Sequence, residues 1–498
     1  MRSSPSRIGA RNTSPTRCFV PKATRRPINT VERFDPILLF EQAAALWPER
    51  PALQVGGEVY SYQRLDGWSD AIAERIVRAG HQGRRVAFVA TKEASSYAAI
   101  LGILKAGCAY VPLPPEGPAA RWSSMLDQAG VQALVGDAVQ PGLTSIPSGE
   151  GHAVFRDRPV GEEAYVLFTS GSTGGPKGVS VSRANVAAYL AHQRITYHLN
   201  EHDRFSQFFA LTFDLSVHDI FLCWSVGACS CVPSAQDMLR AVTFARNEGV
   251  TVWFSVPSLA MLMHRTRALT PGSLSTVRLA FFCGEPLTWP VARVFGQAAP
   301  QARIINLYGT TEATIAITAY ELGPRMGEDG TVPIGTVFNG SVARVVEEEL
   351  QLGGPQVSAG YVGNTPATEA AFITDAGGRW YRTGDRVRKG EAGVFHFLGR
   401  IDDQVKIMGH RVEPSEVDVA LGPLVQGSVF TLAHRGADRV RLYTFVDVPF
   451  DHAALMSELR TTLPAYMLPE RIIGVETMPT TPHGKLDRKA LLALIEHG

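Results

Sequence analysis

The ten residues Thr169-Ser170-Gly171-Ser172-Thr173-Gly174-Gly175-Pro176-Lys177-Gly178 combine four hydroxyls, four glycines and one lysine. Such a stretch makes poor core. Glycines let the backbone approach a ligand closely, hydroxyls and free N–H groups offer donors to an anion, and Lys177 adds a mobile point charge. The physics is that of a phosphate cradle. It is not a Walker A loop, because Pro176 precedes the lysine and Gly178-Val179 follows it, and it lacks the dinucleotide Gly-x-Gly-x-x-Gly.

Four further stretches carry groups that could do chemistry. Asp214 stands among Leu211, Phe213, Leu215 and Val217, and a buried carboxylate needs a partner because an unpaired one is costly. In Asn306 to Glu312 an aromatic ring, a threonine pair and an acid converge on one turn. A hard cation takes carboxylate and phosphate oxygens, and an aromatic face stacks on a base. Tyr381-Arg382-Thr383-Gly384-Asp385 ends on a two-oxygen acceptor suited to a pair of hydroxyls. Pro482-His483-Gly484-Lys485-Leu486-Asp487-Arg488 sets a lysine on a glycine-flanked turn, from which a cation can swing in to stabilise developing negative charge.

Strands and helices must hold these groups. Asp35-Pro36 predicts a capped helix through Leu46. A short strand-like stretch flanked by Tyr60 and Tyr62 follows, then a helix from Ser69 to Ala79. Val86 to Ala90 reads as a strand, Ser95 to Ala106 as a helix and Ala109 to Leu113 as a strand. That alternation implies βαβ units and a mostly parallel sheet. Ala164 to Phe168, Val252 to Val256, Leu279 to Phe282 and Arg303 to Leu307 read as further buried strands. Residues 136–162 read as a surface connection. After about residue 340 the segments shorten, and the last hundred or so read as a small α/β domain.

At 498 residues the chain is too long for a single core. A net charge of +1 argues against bulk nucleic-acid or membrane-surface binding. Six cysteines without metal-ligand spacing fit unpaired thiols in a reducing cytoplasm. The most apolar long run, Ala98 to Val111, is broken by Lys105 and two glycines. Residues 1–30 are basic, without the apolar core of a secretory signal, and are expected to be a disordered extension.

The stretches together, in this order, resemble the adenylation domains of nonribosomal peptide synthetases within the adenylate-forming superfamily. The resemblance covers roughly residues 35–495 and includes Leu104 to Leu113, 168–178, 213–216, 308–312, 381–385, 399–413, Leu463 to Pro469 and 482–488. It implies an α/β fold, with α+β character in the C-terminal part. The expected units are a core domain over 31–399, with mostly parallel sheets flanked by helices plus a small distorted barrel, and a mobile α/β subdomain over 400–498. Thr310 stands where the family often has proline. Met408 and Pro414-Ser415 also depart from the commoner arginine and Leu-Gly.

By that resemblance Thr169, Ser170, Gly171, Ser172, Thr173, Gly174 and Lys177 hold ATP phosphates. Tyr308 lies against adenine, Thr311 near the α-phosphate, Glu312 on Mg²⁺, and Asp385 and Arg400 on the ribose. Asp214 receives the substrate amine. Leu215, His218, Ser255, Phe281, Cys283, Leu307, Ile315 and Ala316 surround its side chain. Lys485 clamps the carboxylate and is catalytic, with Thr311 and Glu312, and Asp402 is the hinge. The implied reaction uses ATP and Mg²⁺ to form an aminoacyl-adenylate, then loads a phosphopantetheine thiol. No carrier or condensation motif is present in the sequence, so a stand-alone, monomeric, cytoplasmic enzyme of natural-product biosynthesis with a separate carrier protein is expected. The filled pocket suits a small neutral amino acid, alanine or serine first. An acyl- or aryl-CoA ligase and a D-alanyl-carrier protein ligase are the alternatives, and Asp214 speaks against the first.

Overall fold

A computed structural model describes Met1 and residues 33–156, 159, 161–171, 175–324, 326–436, 439–481 and 486–496. Beyond Met1 the basic extension therefore lies outside the described residues, as do Ser172, Thr173, Gly174 and Lys485.

Local chemistry sets the first elements. Asp35 Oδ1 accepts from the N–H groups of Ile37 and Leu38 and opens the helix Pro36–Leu46. The next helix, Tyr62–Arg78, starts seven residues ahead of the expected Ser69, because Ser61 caps it and the tyrosine is drawn into the core. Ala94–Lys105 buries every residue but Ser95. Lys105 is tolerated there because Asp66 and Asp70 lie 2.5 and 2.7 Å from its Nζ. Among the described residues no helix is long and apolar enough to cross a membrane.

Three sheets build the N-terminal part. One has nine strands, parallel through the middle and antiparallel at its edges; it carries Val252–Ser255, Leu279–Phe282 and Arg303–Tyr308 side by side. A seven-stranded sheet carries Arg85–Val89, Ala109–Leu113 and Glu163–Thr169 in parallel, and Lys177–Ser182 turns back antiparallel on the last of these. A third, of five antiparallel strands, centres on Gly378–Lys389. Parallel strands buried on both faces explain the near-continuous apolar runs of the sequence.

Beyond Arg400 the elements change. A two-stranded hairpin, Val405–Ile407 with His410–Val412, precedes a three-stranded sheet of Val429–Arg435, Val440–Val446 and Arg471–Gly474. Their apolar residues form cores of their own, around Val417, Leu442 and Leu459 on one face and Phe445 and Leu491 on the other.

Candidate active site

The strands on either side of the phosphate-type loop, Glu163–Thr169 and Lys177–Ser182, pair antiparallel, so Lys177 opens a strand and not a helix. Gly171 has to be glycine, since a Cβ there would run into the Gly175 carbonyl oxygen. Thr169 closes the strand, and Lys177 begins the return strand with its Nζ 5.6 Å over the Tyr361 ring.

Asp214 sits at the N-terminal end of a short helical segment, Leu215–Val217. Burial pushes its carboxyl up to about 6, against a hydrogen bond from Thr311 and the field of Lys406. A cavity of about 90 Å³ opens beside it, lined by Leu215, Cys283, Ile315, Thr311 and Lys406 among others. Ile315 is pushed toward this space by a strained turn: Thr314 and Ile315 have φ of 56° and 71°, unusual for β-branched residues. Gln356 fastens the turn, its amide donating to the Thr314 and Ala316 carbonyls at 3.2 and 2.7 Å. Nothing in the local pattern around Gln356 announced that role.

Five of the expected pocket residues stand outside the lining of this small cavity. His218 is fully buried behind it, with Nδ1 2.5 Å from the Tyr189 hydroxyl and its ring against Phe254 and Phe281; burial lowers its pKa to about 3. The Ser255 hydroxyl accepts from Trp253 Nε1 at 2.8 Å. Phe281 packs edge-on to Tyr197. Leu307 lines a larger neighbouring cavity, and Ala316 is buried in the turn.

That larger cavity, of about 540 Å³, is lined by Tyr308, Asp385, Arg400, Lys406 and Met408 among others, with Arg435 and Arg439 also on its wall. Asp385, Arg400 and Lys406 line both cavities. Asp385 accepts from the Tyr308 hydroxyl at 2.5 Å and from Arg400 at 2.8 Å. Arg400 also makes a fork onto both Asp402 oxygens at 2.7 and 2.6 Å. The expected ribose and hinge residues are thus joined by one guanidinium.

Glu312 is fully buried on the short helix Thr311–Ala313. Burial opposes its ionisation, but Arg411 and the Tyr361 hydroxyl outweigh it and hold its pKa below the ordinary value. Arg411 Nη1 lies 2.9 and 3.1 Å from the two carboxylate oxygens, and the tyrosine hydroxyl 2.7 Å from Oε1. Among the described residues no group of three or more His, Cys, Asp or Glu could hold a metal. A single carboxylate still fits Mg²⁺, which is commonly bound by one or two carboxylates with phosphate oxygens and water completing the shell.

The 405–412 hairpin enters the site beside Glu312. The Arg411 carbonyl accepts from Ser170 Oγ at 2.7 Å, and the Gly409 N–H donates to Glu285 at 2.8 Å. His410 stacks on Tyr466 and meets Phe213 edge-on. Burial lowers its pKa to about 4. The motif around Gly409-His410-Arg411 was visible in the sequence, but only tertiary contact reveals which carboxylates it serves.

A family model described as AMP-binding enzyme matches residues 40–362. One of the plipastatin synthase subunits of Bacillus subtilis (strain 168) is 32% identical over 491 residues, which are 91% of this chain and 19% of that protein. The isonitrile lipopeptide synthase of Streptomyces coeruleorubidus is 34% identical over 477 residues, 89% of this chain and 32% of that protein. The chain thus spans roughly a fifth to a third of these relatives. Among solved structures, the Vibrio cholerae adenylation domain AlmE in complex with glycyl-adenosine-5'-phosphate superposes with a TM-score of 0.84 at 28% identity, covering 97% of this chain and 100% of that one.

Proposed function

Because the chain belongs to the AMP-binding enzyme family, we propose that it activates a small neutral amino acid as its adenylate and then loads the phosphopantetheine thiol of a carrier protein. The family makes it an AMP-forming, ATP-dependent ligase. The observation that carries the amino-acid reading is Asp214, a buried carboxylate beside a small cavity. An α-ammonium there supplies the counter-charge that burial demands.

In the first step an oxygen of the amino-acid carboxylate attacks the α-phosphorus of ATP, and the bond to the bridging oxygen breaks to release pyrophosphate. Protein side chains then mainly position and stabilise charge. Ser170, Lys177 and Thr311 are assigned to phosphate oxygens, Tyr308 to adenine, and Asp385 with Arg400 to the ribose. Glu312 would hold Mg²⁺, which when bound neutralises charge on phosphate oxygens. Lys485 is assigned to the charge developing between carboxylate and phosphate. In the second step the carrier thiol attacks the acyl carbon and AMP leaves. We place the two moving units at 31–399 and 400–498 with the hinge at Asp402, supported by the separate apolar cores on either side.

The cavity's size supports a small side chain, since Leu215, Cys283 and Ile315 close it. Ser255 Oγ and His218 Nδ1 are engaged by Trp253 and Tyr189, and both residues stand outside the cavity lining, so glycine and alanine come ahead of serine. The glycyl adenylate bound by the similar Vibrio cholerae domain supports the same end of the size range. The test is amino-acid-dependent ATP–pyrophosphate exchange over all common amino acids and several carboxylic acids without an amine. We expect signal confined to glycine, alanine and serine. Robust exchange with phenylalanine or a basic amino acid overturns the pocket reading, and exchange only with acids lacking the amine favours an acyl- or aryl-CoA ligase.

A further inference from the structure

We propose that Arg411 is a built-in stand-in for the divalent cation: its guanidinium holds Glu312 whenever the 405–412 hairpin is seated, so hairpin and metal-bound nucleotide occupy the site in turn. The inference rests on the reading of Glu312 as the metal ligand.

One residue reaches both elements that would hold a metal–phosphate group. The Arg411 carbonyl accepts from Ser170 of the phosphate loop, while its guanidinium bridges both oxygens of Glu312. A fully buried ionised carboxylate is strongly destabilised when it loses a cationic partner. A second cation on the same two oxygens would repel the guanidinium at close range. Glu312 therefore trades one cation for the other instead of standing bare, and departure of the metal with pyrophosphate makes the vacancy that draws the hairpin in. The hairpin's seat is shaped for this approach. Gly409 has φ +83°, and a Cβ on it would lie 2.7 Å from Val256 Cγ1. Arg411 acts here as a positioning residue, through Glu312 and through the hairpin it carries.

The test uses the full chain with Cys18→Ser and dyes on Leu239→Cys and Val419→Cys, positions 72% and 50% exposed on opposite sides of the hinge. The other five cysteines are buried. With ATP, chelator and no amino acid, energy transfer should report the seated pose, and titrating Mg²⁺ should shift the population away from it. In Arg411→Met the seated population is depleted before Mg²⁺ is added, and Arg411→Lys restores part of it. Arg411→Met also lowers the Mg²⁺ concentration that half-saturates pyrophosphate exchange severalfold, while carrier loading drops about tenfold or more. A dye distance indifferent to Mg²⁺ in the parent chain overturns the proposal. So does an Arg411→Met variant that loses exchange and carrier loading equally with an unmoved Mg²⁺ midpoint. Failure of every amino acid to support exchange would instead strike the functional reading, leaving the dye response to Mg²⁺ and ATP to judge the switch alone.

Discussion

Asp214 concentrates the tension between stability and use. Its carboxyl is raised from 3.8 to about 6 mainly by burial, so at neutral pH the folded chain carries an ionised group whose charge burial disfavours. Asp214→Asn should raise the melting temperature by a few degrees and lower amino-acid-dependent exchange about 100-fold or more, since the substrate amine then loses its buried counter-charge. The sign of the pH effect follows. Below about pH 6 Asp214 takes up a proton, and KM for the amino acid in exchange should rise up to about tenfold per pH unit. The Asn variant should show a flatter profile. Ile315 makes a second case. Ile315→Gly removes a β-branched side chain from a left-handed φ of 71° and opens the cavity, so exchange should broaden toward valine-sized substrates, read as a change in the ratio of kcat/KM for valine and alanine.

At the scale of elements, the hairpin depends on Gly409. Gly409→Ala forces a Cβ against Val256 in a strained backbone region, so carrier loading should fall about tenfold or more when both half-reactions are assayed separately. Much of the element level was legible beforehand. Ala109–Leu113 and Leu279–Phe282 have the expected limits, and Glu163–Thr169 exceeds its expected strand by one residue at each end, because strands buried on both faces are written as unbroken apolar runs. The phosphate-type loop was equally visible, being composed of residues that no core would use. The antiparallel return of Lys177–Ser182 was not, since the loop's composition supplies donors and backbone freedom without saying whether a strand or a helix follows. Nor could spacing show that Ser255 Oγ and His218 Nδ1 turn to Trp253 and Tyr189. Apolar flanks report burial but not direction.

Across the whole molecule, the contact between the two parts carries its own charge pair. Arg121, on the helix Ala119–Ala129, meets Glu416 of the helix Pro414–Leu421 at 2.8 Å, and the glutamate is 1% exposed. Removing one partner of such a pair leaves a buried charge unmatched, at a cost of about 3–5 kcal/mol. Arg121→Met should therefore depopulate this pose, lowering carrier loading about tenfold or more with pyrophosphate exchange held near its parent rate. Equal loss of both would show that Arg121 serves the fold instead. These residues lie almost three hundred positions apart, a separation at which local sequence pattern carries no pairing information.

Cys283 lines the small cavity, so on the proposed reaction a thiol of the chain itself lies beside an activated acyl group. Burial pushes that thiol up to about 12. Its thiolate is then only about one part in 10⁵ at neutral pH, and the thiolate is the nucleophile. The pocket thereby protects itself from self-acylation, keeping the mixed anhydride for an incoming sulfur and letting a soft, compact side chain fill space next to one of the most electrophilic intermediates a ligase makes.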